Sequence, residues 1–481
     1  MVHEWNIGIK DGGFPLIELD VRSKMFIPLL LVLLITAIIR VYRNPTSSIP
    51  GPWITNWTGL IYDYHFVKGN GAQYVQELHK KYVKEIHRIG SGYVKSRWYD
   101  TLGGGGIQNL FSMTDPKLHR AHRRLLAWPL SEQALKQQME PLIRTRVDLT
   151  IQRMKEEMKT RQTVDVCKWY LFMAMDVIAE LSFGESFDMV KLGKKTEFSL
   201  ELEKLGGLAA LQATWPSVLR LAALVQWPVF KQAMQSTMKM QQCARESIQR
   251  YKQRMADPTT KPTLFTQLFD QKADGLSDKH IEDHARIFII AGSDTTANTL
   301  TYLCWSVCRD EQIKQTLLEE LTAISDDFTD ADLQRLPYLN QVITEALRLY
   351  TSAPARLPRA VPDRGAVLGG YHLPAGATVS TQAYTLHRDP TVYPDPQRFN
   401  PSRWANPSKT MKDMLMPFGA GTRICIGMHL AQIELRLATA SFFRAFPHAR
   451  VSAREQMSQS DMEQTIYFLM SPRGKRCLLD V

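Results

Sequence analysis

The sequence predicts a mainly α-helical protein with small β-sheets behind an N-terminal membrane anchor, with length enough for two to three average domains or one unusually large one. Three observations carry this. Residues 133–230 hold a long helical pattern, and a second, strongly apolar one runs from Ser277 to Cys308. Strand-like runs are few and short, as in Thr378 to Ala383 beside the turn-rich Gly370-Tyr-His-Leu-Pro-Ala-Gly376. The 481 residues are 44% hydrophobic and 22% charged, a globular balance with material for a deep core and no fixed-period repeat.

Charge and cysteines narrow the classes. A net charge of +11 favours acidic partners such as anionic lipid or an acidic redox protein, or is simply a solvated basic surface. No nucleic acid is expected, the least favoured of the acidic partners, because the basic residues are scattered and no binding motif interleaves them with aromatics. Six dispersed cysteines (167, 243, 304, 308, 425, 477) give no disulfide framework and point to a reducing compartment. Cys304 and Cys308 share a helix face, where core packing explains them better than a metal does.

In chain order, a tail (1–24) precedes Met25 to Ile39, fifteen residues without a charge, and the apolar run extends to Tyr42. A span wants about 20 residues, and eleven Leu, Ile, Val and Phe at roughly −0.4 kcal/mol each outweigh one interfacial arginine, so 25–42 is expected to be the anchor. No small-residue cleavage site follows, which disfavours a signal peptide. Lysines and arginines on both sides leave the orientation open. Ile49-Pro50-Gly51-Pro52-Trp53 is a stiff segment within a proline-rich hinge, 43–56, and the main domain is expected over 57–481.

Within that domain, His119 and Arg123 share a helix face but taken alone read as a solvated pair. Ser277 can cap a helix whose apolar centre, Ile287 to Ala291, is interrupted by Gly292-Ser-Asp294-Thr295-Thr296. A mid-helix glycine costs about 1 kcal/mol and a lone buried carboxylate several, so either the interruption has a function or it is a loop with Asp294 capping a second helix. Glu345 and Arg348 pair on one helix face, a weak signal in isolation.

Phe418-Gly-Ala-Gly-Thr-Arg423-Ile-Cys425-Ile-Gly427 is the most specific stretch. Its glycines allow close backbone approach, and a thiolate at Cys425 would be a strong iron ligand near the positive end of the following helix. An inert thiol, half a zinc site with His429, or a nucleophile are the alternatives; zinc lacks a second ligand pair nearby, and a nucleophile needs a positioned base.

The pattern Phe-x-x-Gly-x-Arg-x-Cys-x-Gly resembles the haem-binding signature of the cytochrome P-450 (haem-thiolate monooxygenase) superfamily. A chance match of its five fixed residues is on the order of one in ten thousand for such a chain. Ala-Gly-x-Asp-Thr-Thr at 291–296 is similar to the family's oxygen-activation motif, and Glu345-Ala-Leu-Arg348 to its Glu-x-x-Arg helix.

The resemblance implies haem b with Cys425 as axial iron ligand, and cofactor contacts from Arg423, His119 (in place of a usual Trp), Arg123, Arg359 and Phe418. It implies a proton relay through Asp294 and Thr295, and a buried structural triad of Glu345, Arg348 and Arg398, with Gln397 where the family usually has Glu. Leu202 to Phe230 would roof the substrate pocket, and Ile466 to Leu469 would line it. Electrons would come from NADPH through an NADPH-cytochrome reductase, and membrane lipid would be a further partner. The substrate would be a lipophilic small molecule, and the style is similar to fungal secondary-metabolism enzymes. Single-pass endoplasmic-reticulum localisation with a cytoplasmic domain follows from the same source. Against the family pattern, roughly twenty residues of the first hairpin are missing near Tyr82, at 82–84, which would expose a sheet edge. A non-catalytic haem- or ligand-binding membrane protein and a redox-independent isomerase on the same haem therefore stay open.

Overall fold

The computed structural model describes residues 52–78, 83–102, 109–215, 228–255, 262–266 and 277–481, together with 257, 260 and scattered positions from 28 to 50. Tyr82, Trp227 and much of the 25–42 stretch lie outside the described residues. The principal helices are α1 (Leu60–Val67), α2 (Gly71–Leu78), α3 (Val83–His87), α4 (Pro116–Ala127), α5 (Glu140–Arg161), α6 (Val166–Phe183), α7 (Glu197–Thr214), α8 (Pro228–Arg254), α9 (Asp278–Val307), α10 (Glu311–Thr322), α11 (Pro337–Leu349) and α12 (Met428–Ala445). Two antiparallel three-stranded sheets accompany them. One has the order β1 (Val94–Lys95), β3 (Arg356–Ala360), β6 (Thr378–Gln382); the other has the order β2 (Val164–Asp165), β10 (Leu478–Asp480), β7 (Arg450–Val451). Two hairpins, β4 (Ala366–Leu368) with β5 (Tyr371–Leu373) and β8 (Gln464–Ile466) with β9 (Met470–Pro472), complete the β content.

α9 crosses the core without a break. Ser277 accepts from the His280 amide and starts it, and it is helical at every residue through Gly292-Ser-Asp-Thr-Thr to Val307, so the two-helix alternative does not hold. Its neighbour α6 explains the glycine. A Cβ on Gly292 would lie 2.9 Å from Cγ1 of Ile178, so the two helices meet where only hydrogen fits. α6 is fixed at both ends: Asp165 accepts from the Cys167 and Lys168 amides, and Gly184, at φ +66, donates to Glu180 O.

α9 is tied to α4 by buried histidines. Leu110 N donates to His284 Nδ1 (3.3 Å), so the His284 proton sits on Nε2, where it meets His122 Nδ1 at 2.8 Å. Both rings are therefore neutral.

No described strand precedes the two-residue β1, so the first hairpin is absent among the described residues and β6 pairs on one side only. Side chains close over that edge instead. His87, at the end of α3, meets Thr381 Oγ1 at 2.6 Å, and Gln382 Nε2 donates to Ala72 O of α2 (2.9 Å). α3 also ends against the cysteine loop, since a Cβ on Gly421 would fall 2.1 Å from His87 O.

Candidate functional site

Gly419 and Gly421 adopt left-handed conformations, φ +72 and +69, which turn the loop so that Cys425 N donates back to Phe418 O at 2.9 Å. Phe418 itself packs, half-buried, on the main core. Cys425 stands two residues before Gly427, the N-cap of the 18-residue α12. Burial pushes its thiol above the ordinary value; the Gly427 amide and Arg123 act in the opposite direction. The residue is exposed. Arg123 holds the loop by donating to Ile424 O at 2.7 Å.

Beside this loop lies a group of basic side chains that face one another. Arg423 donates through Nη1 to Met113 O (2.8 Å), while its Nη2 is buried without a partner. Arg359 bonds Tyr99 Oη (3.4 Å) and Pro358 O (3.1 Å). Burial, then Arg423, Arg123 and Lys95, push buried His119 down to about 3, so it is neutral. Lys95, which the sequence reading missed, donates to Phe111 O and is pushed well below its usual value by burial, then by Arg359 and Arg423. Among the described residues none of Lys95, His119, Arg123, Arg359 and Arg423 forms an ion pair. Burying like charges together is unfavourable unless anions join them, and planar guanidinium forks suit paired oxygens. A haem brings two carboxylates to such basic groups and an iron to the thiol, so the residues fit that group.

The cytochrome P-450 family model matches residues 58–478. The chain belongs to the cytochrome P-450 family. It is similar to the cytochrome P-450 monooxygenase tazI of Aspergillus terreus, 44% identical over 95% of this chain and 98% of that protein. It is also similar to the cytochrome P-450 monooxygenase orf2 of Aspergillus niger (41%, 95% and 98%) and stcB of Emericella nidulans (32%, 91% and 89%). Haem b is the cofactor of this family, with NADPH supplying electrons through a redox partner.

In this cytochrome P-450 the polar segment of α9 divides its tasks. Thr295 Oγ1 donates to Ala291 O (2.7 Å), and Thr295 O accepts from Ser352 Oγ (2.7 Å). Burial pushes Asp294 up to about 6; Glu203 adds to that, while Lys475 and Lys195 oppose it. Asp294 thus faces Lys195, Glu203 and Lys475, and among the described residues it shares no hydrogen bond with Thr295. Thr296 Oγ1 donates to Glu434 Oε2 (3.0 Å), a buried carboxyl on α12 that burial pushes up to about 8. Glu434 shares Leu430 to Leu437 with Gln432 and Arg436, and nothing in that pattern marks it as the buried carboxyl.

The structural triad needs one correction. Arg348 grips Glu345 in a two-point pair, Nε to Oε2 and Nη2 to Oε1, both 2.8 Å. The second guanidinium is Arg403, whose Nε lies 3.0 Å from Glu345 Oε1, and Trp404 Nε1 donates to Oε2 at 2.9 Å. Arg398 contributes only its carbonyl, which accepts from Arg348 and Arg403. The reason is geometric: the side chain of Arg398 is in the exposed part of the turn, while Pro401–Trp404 forms a helical turn packed on α11.

Proposed function

We propose that this monooxygenase inserts one atom of dioxygen into a lipophilic small molecule of fungal secondary metabolism, with electrons from NADPH delivered by a membrane-bound reductase. The observation that carries the reading is the group of basic side chains with its orphaned Arg423 Nη2 beside the Cys425 loop. When bound, haem b with a cysteine thiolate supplies oxygen activation. Lys95, Arg359 and Arg423 would hold its carboxylates, with His119 donating as a neutral ring. Arg123, the Gly427 amide and the start of α12 favour the thiolate form of Cys425. Thr295 holds a proton at Oγ1, and Asp294, near 6, exchanges protons close to neutral pH. Glu203, bound to Lys195 at 2.7 Å, sets the charge that Asp294 meets toward the surface.

The proposed anchor at 25–42 is supported by described positions between 28 and 39 that are helical, with Leu31, Val32, Leu34, Ile35, Ile38 and Ile39 exposed. No helix among the described residues is long and apolar enough to cross a membrane. Endoplasmic-reticulum attachment belongs to the same proposal.

The test is reconstitution with purified reductase, NADPH and a panel of apolar natural products. Monooxygenation predicts NADPH- and dioxygen-dependent product. Turnover without NADPH would favour the isomerase, and spectral binding without any product the non-catalytic reading.

A further inference from the structure

A cleft of about 670 Å³ is lined by none of the residues around Cys425. Its walls include Trp305, Tyr350, Tyr384, Gln397 and Gln464, and exposed Lys68. Directly behind Gln397 and Gln464 lies Arg388, only 3% exposed.

Two other buried arginines show what such a side chain requires. Arg348 presents its Nε and Nη2 edge to Glu345 at 2.8 and 2.8 Å, and Arg436 presents the same edge to Asp330 at 2.6 and 3.0 Å. Arg388 presents that edge to two neutral carboxamides, Gln397 Oε1 at 3.3 Å and Gln464 Oε1 at 3.5 Å, while Nη2 also donates to Leu349 O at 2.5 Å. Among the described residues it has no ion pair. Burial pushes it down to about 10; Tyr384, whose ring lies 3.8 Å from the guanidinium, opposes that, and nearby Arg348 adds to it. Glu463, the acid among the lining residues, is engaged by Arg473 at 2.8 Å.

We propose that this cleft binds a carboxylate carried on an aromatic or other apolar body, the two oxygens displacing the Gln397 and Gln464 carboxamides from the Nε and Nη2 edge of Arg388. Charge-assisted two-point bonds are shorter and stronger than the long amide contacts they replace. Trp305, Tyr350 and Tyr384 supply the flat apolar wall, and Lys68 attracts the anion. The site is separate from the proposed haem chemistry.

The test titrates the holoenzyme with 2-naphthoate, neutral 2-naphthylmethanol and inorganic phosphate, following thermal midpoint, tryptophan fluorescence and the haem Soret band. Naphthoate should saturate, raise the midpoint and leave the Soret band unmoved, with the alcohol and phosphate at least about tenfold weaker. Gln397→Glu gives Arg388 a resident carboxylate and should weaken naphthoate about tenfold or more while leaving basal turnover unchanged. Arg388→Gln should do the same if it folds; Gln397→Glu keeps the test decisive if it does not. Equal binding of naphthoate and the alcohol, naphthoate binding that survives Gln397→Glu, or binding that shifts the Soret band would overturn the assignment. Phosphate binding as tight as naphthoate would overturn the requirement for an apolar body.

Discussion

Glu345 is fully buried, and its two oxygens accept from Arg348, Arg403, Trp404 and the Asn400 amide. Removing one charged partner leaves buried charge less compensated, so Arg403→Leu should cost about 3 kcal/mol in denaturant midpoints at unchanged slope. Arg398→Leu should stay within about 0.5 kcal/mol. Equal effects would contradict the assignment. Pro396-Gln-Arg-Phe399 and Pro401-Ser-Arg-Trp404 share a Pro-x-Arg-aromatic form, so the form by itself does not single out Arg398. Only the turn between them decides which guanidinium points inward. Glu434 carries a pH prediction. Its folded-state value, about 8, lies above the ordinary carboxylate value, so the folded protein binds the extra proton between them. Its contribution to stability is present below about 4.5 and is lost as pH rises toward 8. Glu434→Gln keeps an acceptor for Thr296 without the ionisation. It should therefore gain on the wild type by a few kcal/mol, on the order of one per pH unit, between pH 5 and 8, read from denaturation curves.

Between elements, the α6–α9 contact is the tightest constraint on the oxygen-motif helix. Gly292→Ala puts a methyl group against Ile178, and overpacking of this kind costs about 1–3 kcal/mol. Ile178→Ala in the same chain empties the space that the added methyl group enters, so the double variant should lose clearly less than the sum of the two single changes; additive losses would place the strain elsewhere. The α4–α9 junction is acid-sensitive. Burial, then His122 and His280, push His284 down to about 3. Between pH 6.5 and 3 the unfolded chain binds the proton and the folded chain does not, so stability is whole above 6.5 and falls below it. The loss reaches about 2 kcal/mol by pH 5, and His284→Gln should flatten that slope. The helices themselves were legible from their apolar period. The continuity of α9 was not, because Gly followed by Ser-Asp is equally a stop signal and a cap, and the close approach of α6 that calls for glycine is a tertiary fact.

Across the whole molecule, the loop, α4, β1 and β3 bring Cys425, Arg423, Arg123, His119, Lys95 and Arg359 together from segments far apart in sequence. Motif spacing made the cysteine and arginines legible; Lys95 was not, because nothing in Val94-Lys-Ser-Arg-Trp98 marks a buried lysine. The covering of the β6 edge by His87 and Gln382 was likewise invisible, since it depends on where α2 and α3 dock. Cations gathered without counterions should make the haem-free protein much the weaker form, so haem loading should raise the thermal midpoint. Arg423→Leu should narrow the gap by relieving the apo-protein and loosening haem. An unchanged gap would mean that Arg423 does not face the carboxylates. The most direct test of the account is the carbon-monoxide difference spectrum of the reduced, haem-loaded protein beside that of Cys425→Ser. The wild type should show the band of a thiolate-ligated haem, and the variant should retain haem yet lack it. Persistence of that band in the serine variant, or its absence from a fully loaded wild type, would contradict the assignment of Cys425.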